Sequence, residues 1–377
     1  MDILISLIMV VISALIIAKA CDGFEAAADY LGRNLSEGVK GASINAIGSS
    51  MPELFATFVF LFLYSNTTGF AGGIGTTAGS AVFNTMIIPA VSILVALKMF
   101  KIGMVEVSKK VILRDGLMLI AIEFILIVTI SETLEWWHGM MLMLLYFAYI
   151  GYMFASMKRS DSNDDDDDDD DDEKENSSNR LVSFFKLDLE YALIGNGTLQ
   201  KGNSWGLLAV STFFIAIACY ILVEGCEQFG VSMGIEGYFV AVILAAAASS
   251  VPDTILSMKD ARKGNYDDAV SNALGSNIFD ICFALGLPLF LYTIIYGPIT
   301  MSTETADNVS ELRILLLLLT IGAFFIFLFG KGLGKLKAFT LLALYGLFAA
   351  YIIGKAYEMT WAQPYTEALH QIQNFIK

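Results

Sequence analysis

Apolar residues in this chain occur in long uninterrupted runs instead of the short alternating patterns of surface helices and strands. A helix needs roughly 20 consecutive apolar residues to cross a bilayer. Ten runs approach or exceed that length, at about residues 3–20, 39–63, 73–97, 111–131, 137–157, 205–224, 236–258, 268–295, 312–330 and 336–354. The first run is taken as a span and not as a signal peptide, because no Lys or Arg precedes it. The pattern predicts an all-α membrane protein with ten transmembrane helices.

The composition agrees with a lipid-facing exterior. Hydrophobic residues make up 56% of the chain and charged residues only 16%, against about 25% charged in soluble domains. An ordinary soluble enzyme is therefore excluded. Two histidines and four cysteines without Cys-x-x-Cys spacing leave zinc, haem and iron–sulfur centres almost without ligands. We expect a protein that is not an enzyme, that carries no cofactor, and that binds neither nucleic acid nor an obligate protein partner.

The net charge of −15 comes mostly from one acidic tract. Asp161, Asp164–Asp172, Glu173 and Glu175 are twelve acids against Lys174, or −11, which leaves −4 for the rest of the chain. Such a self-repelling run has nothing to bury, so it is typical of a disordered linker. Calcium sensing is the alternative, although the tract lacks the glycine turn of an EF-hand loop.

This linker divides the chain into two halves of five spans each. The predicted organisation is a first repeat at 1–157, a cytoplasmic linker at 158–203, a second repeat at 204–355 and an extracytoplasmic tail at 356–377. Counting loops alternately places nineteen of the 23 basic residues on the side of the linker and only Arg313, Lys355 and Lys377 on the other. Since cytoplasmic loops are enriched in Lys and Arg, both termini are predicted to lie outside.

Two pairs of motifs recur in the same order in the two halves. Residues 46–54 read A-I-G-S-S-M-P-E-L, and residues 246–254 read A-A-A-S-S-V-P-D-T. Further along, residues 79–84 read G-S-A-V-F-N, and residues 275–280 read G-S-N-I-F-D. Because five spans is an odd number, the second copy must be inverted relative to the first. Inverted repeats with broken helices are the architecture of secondary transporters.

The first motif combines a helix break with a carboxylate at mid-membrane depth. Pro52 and Pro252 have no N–H and clash with the preceding turn, so carbonyls before them lose helical partners. Glu53 and Asp253 follow directly, and a charged acid at the bilayer centre costs at least about 2.5 kcal/mol. Carboxylate, carbonyl and hydroxyl oxygens are the ligands that Ca²⁺ prefers. The repeat therefore predicts a cation site shared by both halves.

The second motif is predicted to complete this site. Its small residues, Gly79 and Gly275 in particular, should let the third and eighth spans approach closely and bring Asn84 and Asp280 to the same centre. With Glu53, Asp253 and Asp280 ionised, three negative charges need compensation. Three Na⁺ would supply it, and so would one Ca²⁺ with one monovalent cation.

At these residues the sequence resembles the cation/calcium exchanger superfamily, whose alpha-repeats carry Gly-(Ser/Thr)-Ser-x-Pro-Glu and Gly-Ser-Asn-x-Phe-(Asn/Asp). The likeness covers roughly residues 20–100 and 220–295. It leans toward the potassium-dependent Na⁺/Ca²⁺ exchangers, because A-R-K-G follows the Pro-Asp of the second half. The resemblance implies a Na⁺/Ca²⁺ exchanger-like fold whose first and sixth helices slide. It also implies ten ion-binding residues: Glu53, Asp253, Asn84, Asp280, Ser49, Ser50, Ser249, Ser250, Ser80 and Ser276.

The implied function is secondary active antiport that expels Ca²⁺ in exchange for Na⁺ across a plasma or bacterial inner membrane. In the potassium-dependent branch, the aspartate that matches Asp280 is associated with K⁺ dependence. Ala248 stands where the family pattern has Gly, which leaves open whether Na⁺ or H⁺ drives transport, so a Ca²⁺/H⁺ antiporter is the nearest alternative. A calcium channel and an intramembrane aspartyl protease are more remote. Two inverted halves supply no symmetric ring of acids, and the paired Tyr-Asp and Gly-x-Gly-Asp motifs of such proteases are not found together, since the chain has no Gly-x-Gly-Asp.

Overall fold

The computed structural model describes residues 3–32, 46–64, 67–157, 180–195, 197–330 and 332–376, and most of these are helical. In the first half, the elements are α1 (Ile3–Leu31), α2 (Ala46–Ser49), α3 (Met51–Leu63), α4 (Thr67–Met99), β1 (Met104–Val105), α5 (Lys109–Thr129), β2 (Thr133–Leu134) and α6 (Trp136–Met157). Two short helices follow, α7 (Arg180–Phe185) and α8 (Leu189–Ile194).

The second half repeats this order with two π-helical turns inserted. Its elements are α9 (Lys201–Met233), α10 (Gly237–Val240), a first π-turn (Ala241–Ala245), α11 (Ala246–Ser249), α12 (Val251–Lys263), α13 (Tyr266–Phe279), a second π-turn (Asp280–Ala284), α14 (Gly286–Tyr296), β3 (Ile299–Thr300), α15 (Thr303–Leu328), β4 (Leu333–Gly334), α16 (Lys335–Ala356) and α17 (Gln363–Ile376).

A helix overlaps each of the ten predicted spans, which confirms the prediction of an all-α membrane protein. Among the described residues, six helical segments are long and apolar enough to cross a membrane, and α10–α12 adds a seventh with a 41° bend. Helix α5 is long enough, but it carries Arg114, Asp115 and Glu123 within its apolar stretch. The number of ten crossings therefore stays a prediction.

Two short antiparallel sheets tie the turns of one half to those of the other. Strand β1 pairs with β4 through Met104 and Gly334, and β2 pairs with β3 through Thr133 and Thr300. The first sheet joins the turn after α4 to the turn before α16. The second joins the turn before α6 to the turn after α14. Each turn thus pairs with a turn of the other half, and the two sheets lie at opposite ends of α5 and α15.

Helices α1 and α9 form an antiparallel pair, and their hydrophobic core also includes residues of the broken helices, such as Phe60 of α3 and Ala245 of the first π-turn. A Cβ added at Gly23 of α1 would lie 2.7 Å from Ser211 Oγ, and one added at Gly225 of α9 would lie 3.1 Å from Met9 Cβ. Glycine is therefore needed at both crossings for the backbones to approach this closely. The other long helices share a second, larger core centred on α4.

Two segments outside the spans are helical. The acidic tract Asp164–Asp172 lies outside the described residues, but residues 180–194 of the predicted linker form α7 and α8, and Leu189 and Ile194 pack into the α1–α9 core. The predicted C-terminal tail contains α17, which packs through Leu369 against Ile314 and Leu317 of α15.

One basic residue that loop counting assigns to the extracytoplasmic side is not in a loop. Arg313 lies inside α15, ten residues after its start, and is only 4% exposed. Its Nη1 donates to Leu126 O at 2.9 Å and to Ile130 O at 3.0 Å. Leu126 O lies in the last turn of α5 and also accepts from Ile130 N at 3.1 Å, whereas Ile130 O lies just beyond the helix, where a backbone acceptor lacks a helical partner. Arg313 therefore satisfies the end of a neighbouring helix and contributes nothing to the charge of a loop.

Candidate cation-binding site

Both predicted helix breaks are present. Helices α2 and α3 are interrupted at Ser50, with φ −96° and ψ 8°, and α11 and α12 at Ser250, with φ −82° and ψ 6°. In each case the proline is in the first turn of the following helix, where its missing N–H is tolerated. Glu53 and Asp253 then lie in the first turns of α3 and α12. The helix N-terminus is a favourable position for a negative charge.

Glu53 lies in a cluster of hydroxyl groups contributed by both halves. Ser80 Oγ, from α4, is 3.0 Å from Glu53 Oε1. Ser250 Oγ, at the break of the second half, is 3.3 Å from the same oxygen and 2.8 Å from Ser80 Oγ. The carboxylate of the first repeat therefore contacts a residue of the second repeat directly.

Asp253 has the corresponding surroundings. Ser276 Oγ, from α13, donates to Asp253 Oδ1 at 2.7 Å, as Ser80 does to Glu53. Asn84 Nδ2, from the first half, is 3.4 Å from Asp253 Oδ2 and 3.4 Å from Ser80 Oγ. Glu53 and Asp253 are thus linked through Ser80 and Asn84, and the two carboxylates belong to one site.

Asp280 adds a third carboxylate to the cluster. Its Oδ2 is 3.2 Å from Ser80 Oγ, the hydroxyl that also faces Glu53 and Ser250. A serine hydroxyl has only one proton to donate, so Ser80 cannot satisfy all of these acceptors. Asp280 also begins the second π-turn, a type of helix irregularity that is frequent at functional sites.

The remaining predicted serines line the same space. Ser49, from the first repeat, lies beside Asp253, and Ser249, from the second, lies beside Glu53. Their hydroxyls donate to Ala46 O at 3.5 Å and Ala246 O at 3.2 Å. Ser50 lies beside Asp280. All ten predicted site residues have an exposure of 0%, so the structure brings the complete predicted set into one buried cluster that is closed at both ends.

Acceptor oxygens outnumber donors in this cluster. Glu53 Oε2, Asn84 Oδ1 and Asp280 Oδ1 are buried and have no hydrogen-bond partner among the described residues. Nor does any described Lys or Arg side chain form an ion pair with the three carboxylates. Buried charges normally need a counter-charge. Among the described residues, no group of three Asp, Glu, His or Cys side chains is placed to hold a metal ion by itself. A cation in this cluster would therefore also require hydroxyl, amide or carbonyl oxygens.

Neither glycine of the second motif makes the close contact between the third and eighth spans that the sequence predicts for it. A Cβ added to Gly79 would collide with Val242 O and lie 2.8 Å from Ala246 Cβ. Gly79 therefore packs against the seventh predicted span, not the eighth. A Cβ added to Gly275 would meet only Tyr149 Oη, at 3.8 Å, so a close approach does not explain that glycine.

Asn277 is a buried polar residue of the site region that was not among the predicted ligands. Its Nδ2 donates to Ala81 O at 3.0 Å and to Thr85 Oγ1 at 2.7 Å, while its Oδ1 has no described partner. It belongs to the quoted motif G-S-N-I-F-D, three residues before Asp280. The i, i+3 spacing, which places the two on adjacent parts of one helix face, is the signal that could have identified it.

Three further buried acids lie outside the cluster, and one of them, Glu311, is 3% exposed and pairs with Lys355 Nζ at 2.8 Å. Glu123 is 1% exposed and accepts a hydrogen bond of 2.8 Å from Thr320 Oγ1. Asp115 is fully buried and accepts from Arg114 Nε at 2.6 Å and from Ser271 Oγ at 2.8 Å. Glu123 thus joins α5 to α15, and Asp115 joins α5 to α13.

The inverted halves, the paired broken helices and the buried carboxylates between them define a secondary transporter of the inverted-repeat class. The family model described as sodium/calcium exchanger protein matches residues 5–155 and 203–354. The chain therefore belongs to the sodium/calcium exchanger family and is an integral membrane protein. Because exchangers are transport proteins, the prediction that this chain is not an enzyme is confirmed.

Similar proteins of known name include two sodium/potassium/calcium exchangers. Exchanger 2 of Mus musculus is 38% identical over 140 residues, which are 37% of this chain and 21% of that protein. Exchanger 1 of Bos taurus is 37% identical over 140 residues, which are 37% of this chain and 11% of that protein. The matched segment thus spans about a fifth or less of each relative, and the resemblance to the exchanger superfamily is confirmed.

Two solved structures share the fold. The H⁺/Ca²⁺ exchanger CAX has a TM-score of 0.62 and 15% identity, with 97% of this chain and 92% of that chain covered. The sodium-calcium exchanger NCX_Mj, soaked with Na⁺ and Sr²⁺, has a TM-score of 0.57 and 17% identity, with 93% and 99% covered. At these identities the matches show a Na⁺/Ca²⁺ exchanger-like fold, as predicted. They do not indicate which ions this chain prefers.

Proposed function

We propose that this chain is a secondary active antiporter that exchanges Na⁺ for Ca²⁺ across the membrane and carries K⁺ together with Ca²⁺. The main support is the convergence of Glu53, Asp253 and Asp280, three fully buried carboxylates from both repeats, in a cluster where acceptor oxygens outnumber donors. Such a cluster is expensive in a membrane unless cations neutralise it. Hard oxygen donors favour Na⁺, K⁺ and Ca²⁺ over softer metals.

The ten site residues divide into charged and neutral ligands. The three carboxylates neutralise the cations, and Asn84 with the six serines supplies neutral oxygens. Ca²⁺ takes six to eight oxygen ligands, so one Ca²⁺ requires ligands from both repeats at once. Three Na⁺ carry the same total charge as one Ca²⁺ together with one K⁺. The two sets of ions therefore compete for the same carboxylates, and this competition results in exchange.

The inclusion of K⁺ is supported by the names of the relatives and by the position of Asp280. The proteins with 37–38% identity are sodium/potassium/calcium exchangers. Asp280 lies beside the Glu53–Ser80 pair and bears a charge where the first repeat has the neutral Asn84. This additional charge is available for a monovalent cation beside Ca²⁺.

All site residues are buried at the same time in this structure. Transport therefore requires that the site become accessible from each side of the membrane in turn. From the distribution of basic residues we infer that the acidic linker is cytoplasmic, that both termini are extracytoplasmic, and that the protein resides in a plasma or bacterial inner membrane. The direction of net transport is then extrusion of Ca²⁺ driven by inward Na⁺.

A Ca²⁺/H⁺ antiporter is the second candidate, because buried carboxylates can release protons in place of Na⁺ and the fold is shared with an H⁺/Ca²⁺ exchanger. In proteoliposomes, ⁴⁵Ca²⁺ uptake should respond to an outward Na⁺ gradient and not to an outward H⁺ gradient, and K⁺ on the Ca²⁺ side should stimulate it. Uptake driven by H⁺ alone would favour the second candidate. Glu53→Gln should abolish uptake, whereas Glu123→Gln, a buried acid outside the cluster, should retain it.

A further inference from the structure

Two polar contacts join the α1–α9 pair to the broken helices, one at each end of the site. The Tyr64 hydroxyl, at the end of α3, donates to Glu224 Oε2 of α9. Lys259 Nζ, in α12, is 3.4 Å from Asp22 Oδ1 of α1. Each contact crosses between the repeats, since Tyr64 and Glu224 belong to different halves, and so do Asp22 and Lys259.

The two acids are counterparts in the repeat. Asp22 precedes Glu53 by 31 residues, and Glu224 precedes Asp253 by 29. Their helices are also counterparts, since α1 and α9 open the two halves. An acid of the opening helix therefore contacts the broken helix of the other half twice, although the partners are not counterparts, because Tyr64 follows Glu53 by 11 residues and Lys259 follows Asp253 by 6.

The contacts lie at different levels along the α1–α9 pair. Because α1 and α9 are antiparallel, Gly225, next to Glu224, packs against Met9 of α1. Asp22 follows Met9 by 13 residues, which at 1.5 Å per residue is roughly 20 Å along the helix. Between these levels, Cys219 Sγ of α9 is 3.4 Å from Pro52 O, the residue before Glu53. The cation site is thus at the level between the two contacts.

We propose that the Tyr64–Glu224 hydrogen bond and the Asp22–Lys259 ion pair are latches, and that each must break before the site opens to its own end of the membrane. The proposal rests on the proposed function, because it assumes that the site is reached from both sides. Both latches are formed in this structure, in which every site residue is buried. Helices α1 and α9 share one core, which Phe60 of α3 and Ala245 of the first π-turn also enter, so movement of the pair past the broken helices requires these apolar contacts to slide.

The two latches differ in strength. Each acid has a second partner on its own helix, since Glu224 accepts from Gln228 Nε2 at 2.8 Å and Asp22 Oδ2 lies 3.7 Å from Lys19 Nζ. The Tyr64–Glu224 bond, however, is partly buried. In the other latch the Asp22 side chain is 42% exposed and that of Lys259 52%, and ion pairs this exposed are screened by solvent. The end at Asp22 should therefore open more readily than the end at Glu224. Tyr64 and Lys259 have no contact with the cation cluster and are positioning residues.

Hydrogen exchange in lipid nanodiscs tests the latches without relying on transport. Tyr64→Phe, which keeps the ring, should raise amide exchange at residues 221–233 by about tenfold, the effect of losing a hydrogen bond to a charged group. Residues 15–31 should be unchanged. Lys259→Met should raise exchange at residues 15–31 by about twofold, as expected for a half-exposed ion pair. The exposed Tyr296→Phe and Lys98→Met are matched controls and should change neither segment.

Transport then gives a second, directional readout. In proteoliposomes of a single orientation, Tyr64→Phe should lower the KM for Ca²⁺ at the Glu224 end and raise it at the Asp22 end, and Lys259→Met should do the reverse. Glu224→Leu, which has no acceptor for the Tyr64 hydroxyl, should reproduce Tyr64→Phe if the latter folds poorly. Changes in the same direction for both variants, or no change in either segment, would overturn the latches. Loss of all ⁴⁵Ca²⁺ exchange by the unmodified protein would instead overturn the proposed function, and hydrogen exchange would still report on the latches.

Discussion

Asn277 donates a hydrogen bond of 3.0 Å from Nδ2 to the backbone oxygen of Ala81. These two residues occupy the same place in the two repeated motifs, G-S-A-V-F-N and G-S-N-I-F-D. A residue can touch its own counterpart only near the axis that relates the two copies. The contact therefore locates that axis between α4 and α13, three residues from Asn84 on one side and from Asp280 on the other.

Removing the charge of Glu53 should abolish most of the stabilisation that bound Ca²⁺ gives to the folded protein. Unmodified protein should gain about 2.7 kcal/mol when Ca²⁺ is present at 100 times its Kd, and Glu53→Gln should lose most of that gain. Its Na⁺-driven Ca²⁺ uptake should fall by about 100-fold or more, because losing a charged partner in a buried site costs about 3 kcal/mol. Thermal unfolding with and without Ca²⁺, together with ⁴⁵Ca²⁺ uptake, measures both effects. A Ca²⁺-induced stabilisation equal to that of the unmodified protein would remove Glu53 from the site.

Asp280→Asn should separate K⁺ from the other ions. With one charge fewer, the site is balanced by Ca²⁺ alone or by two Na⁺, so the variant should exchange Ca²⁺ without responding to K⁺. The measurement is Na⁺-driven ⁴⁵Ca²⁺ uptake in a series of K⁺ concentrations. An unchanged K⁺ response would show that another residue binds K⁺.

Gly79→Ala should destabilise the protein, because the added methyl would collide with the Val242 carbonyl and approach Ala246 Cβ to 2.8 Å. Overpacking of this kind costs about 1–3 kcal/mol. Gly275→Ala is the matched control from the other repeat. Its methyl would meet only Tyr149 Oη at 3.8 Å, so its unfolding midpoint should stay close to that of the unmodified protein. Equal losses in the two variants would contradict the asymmetry between the repeats.

Arg313→Met should lower the free energy of unfolding without changing ion selectivity. The variant would leave Ile130 O without its buried donor, while Leu126 O would keep its bond from Ile130 N, and one unsatisfied buried carbonyl costs about 1–3 kcal/mol. The exposed Arg262→Met serves as the control, and thermal unfolding with Na⁺/Ca²⁺ competition checks both statements. If Arg313→Met altered the competition between Na⁺ and Ca²⁺ while stability was retained, Arg313 would belong to the transport path.

Much of the site could be predicted from the sequence because its signals are local. Pro52 and Pro252 interrupt their helices wherever they are placed, since a proline has no N–H to donate. The two Ser-Ser-x-Pro-acid motifs and the two Gly-Ser motifs identify all ten residues of the buried cluster. The hydrogen bonds of Asp115 to Ser271, of Glu123 to Thr320 and of Asn277 to Ala81 were not predicted, because each joins residues more than 150 positions apart.

Length and composition of the apolar runs determined that this chain is a helical membrane protein, and the paired motifs determined that it consists of two inverted copies. The first conclusion follows from the solubility of apolar side chains in lipid, and the second from the odd number of spans in each half. Neither requires knowledge of how the helices pack. Only the tertiary structure decided which oxygens share Ser80, why Gly79 and Gly275 differ, and where Arg313 donates its hydrogen bonds. Those outcomes depend on the rotation of each helix about its axis and on the distance to its neighbour, which are set by contacts between residues remote in the chain.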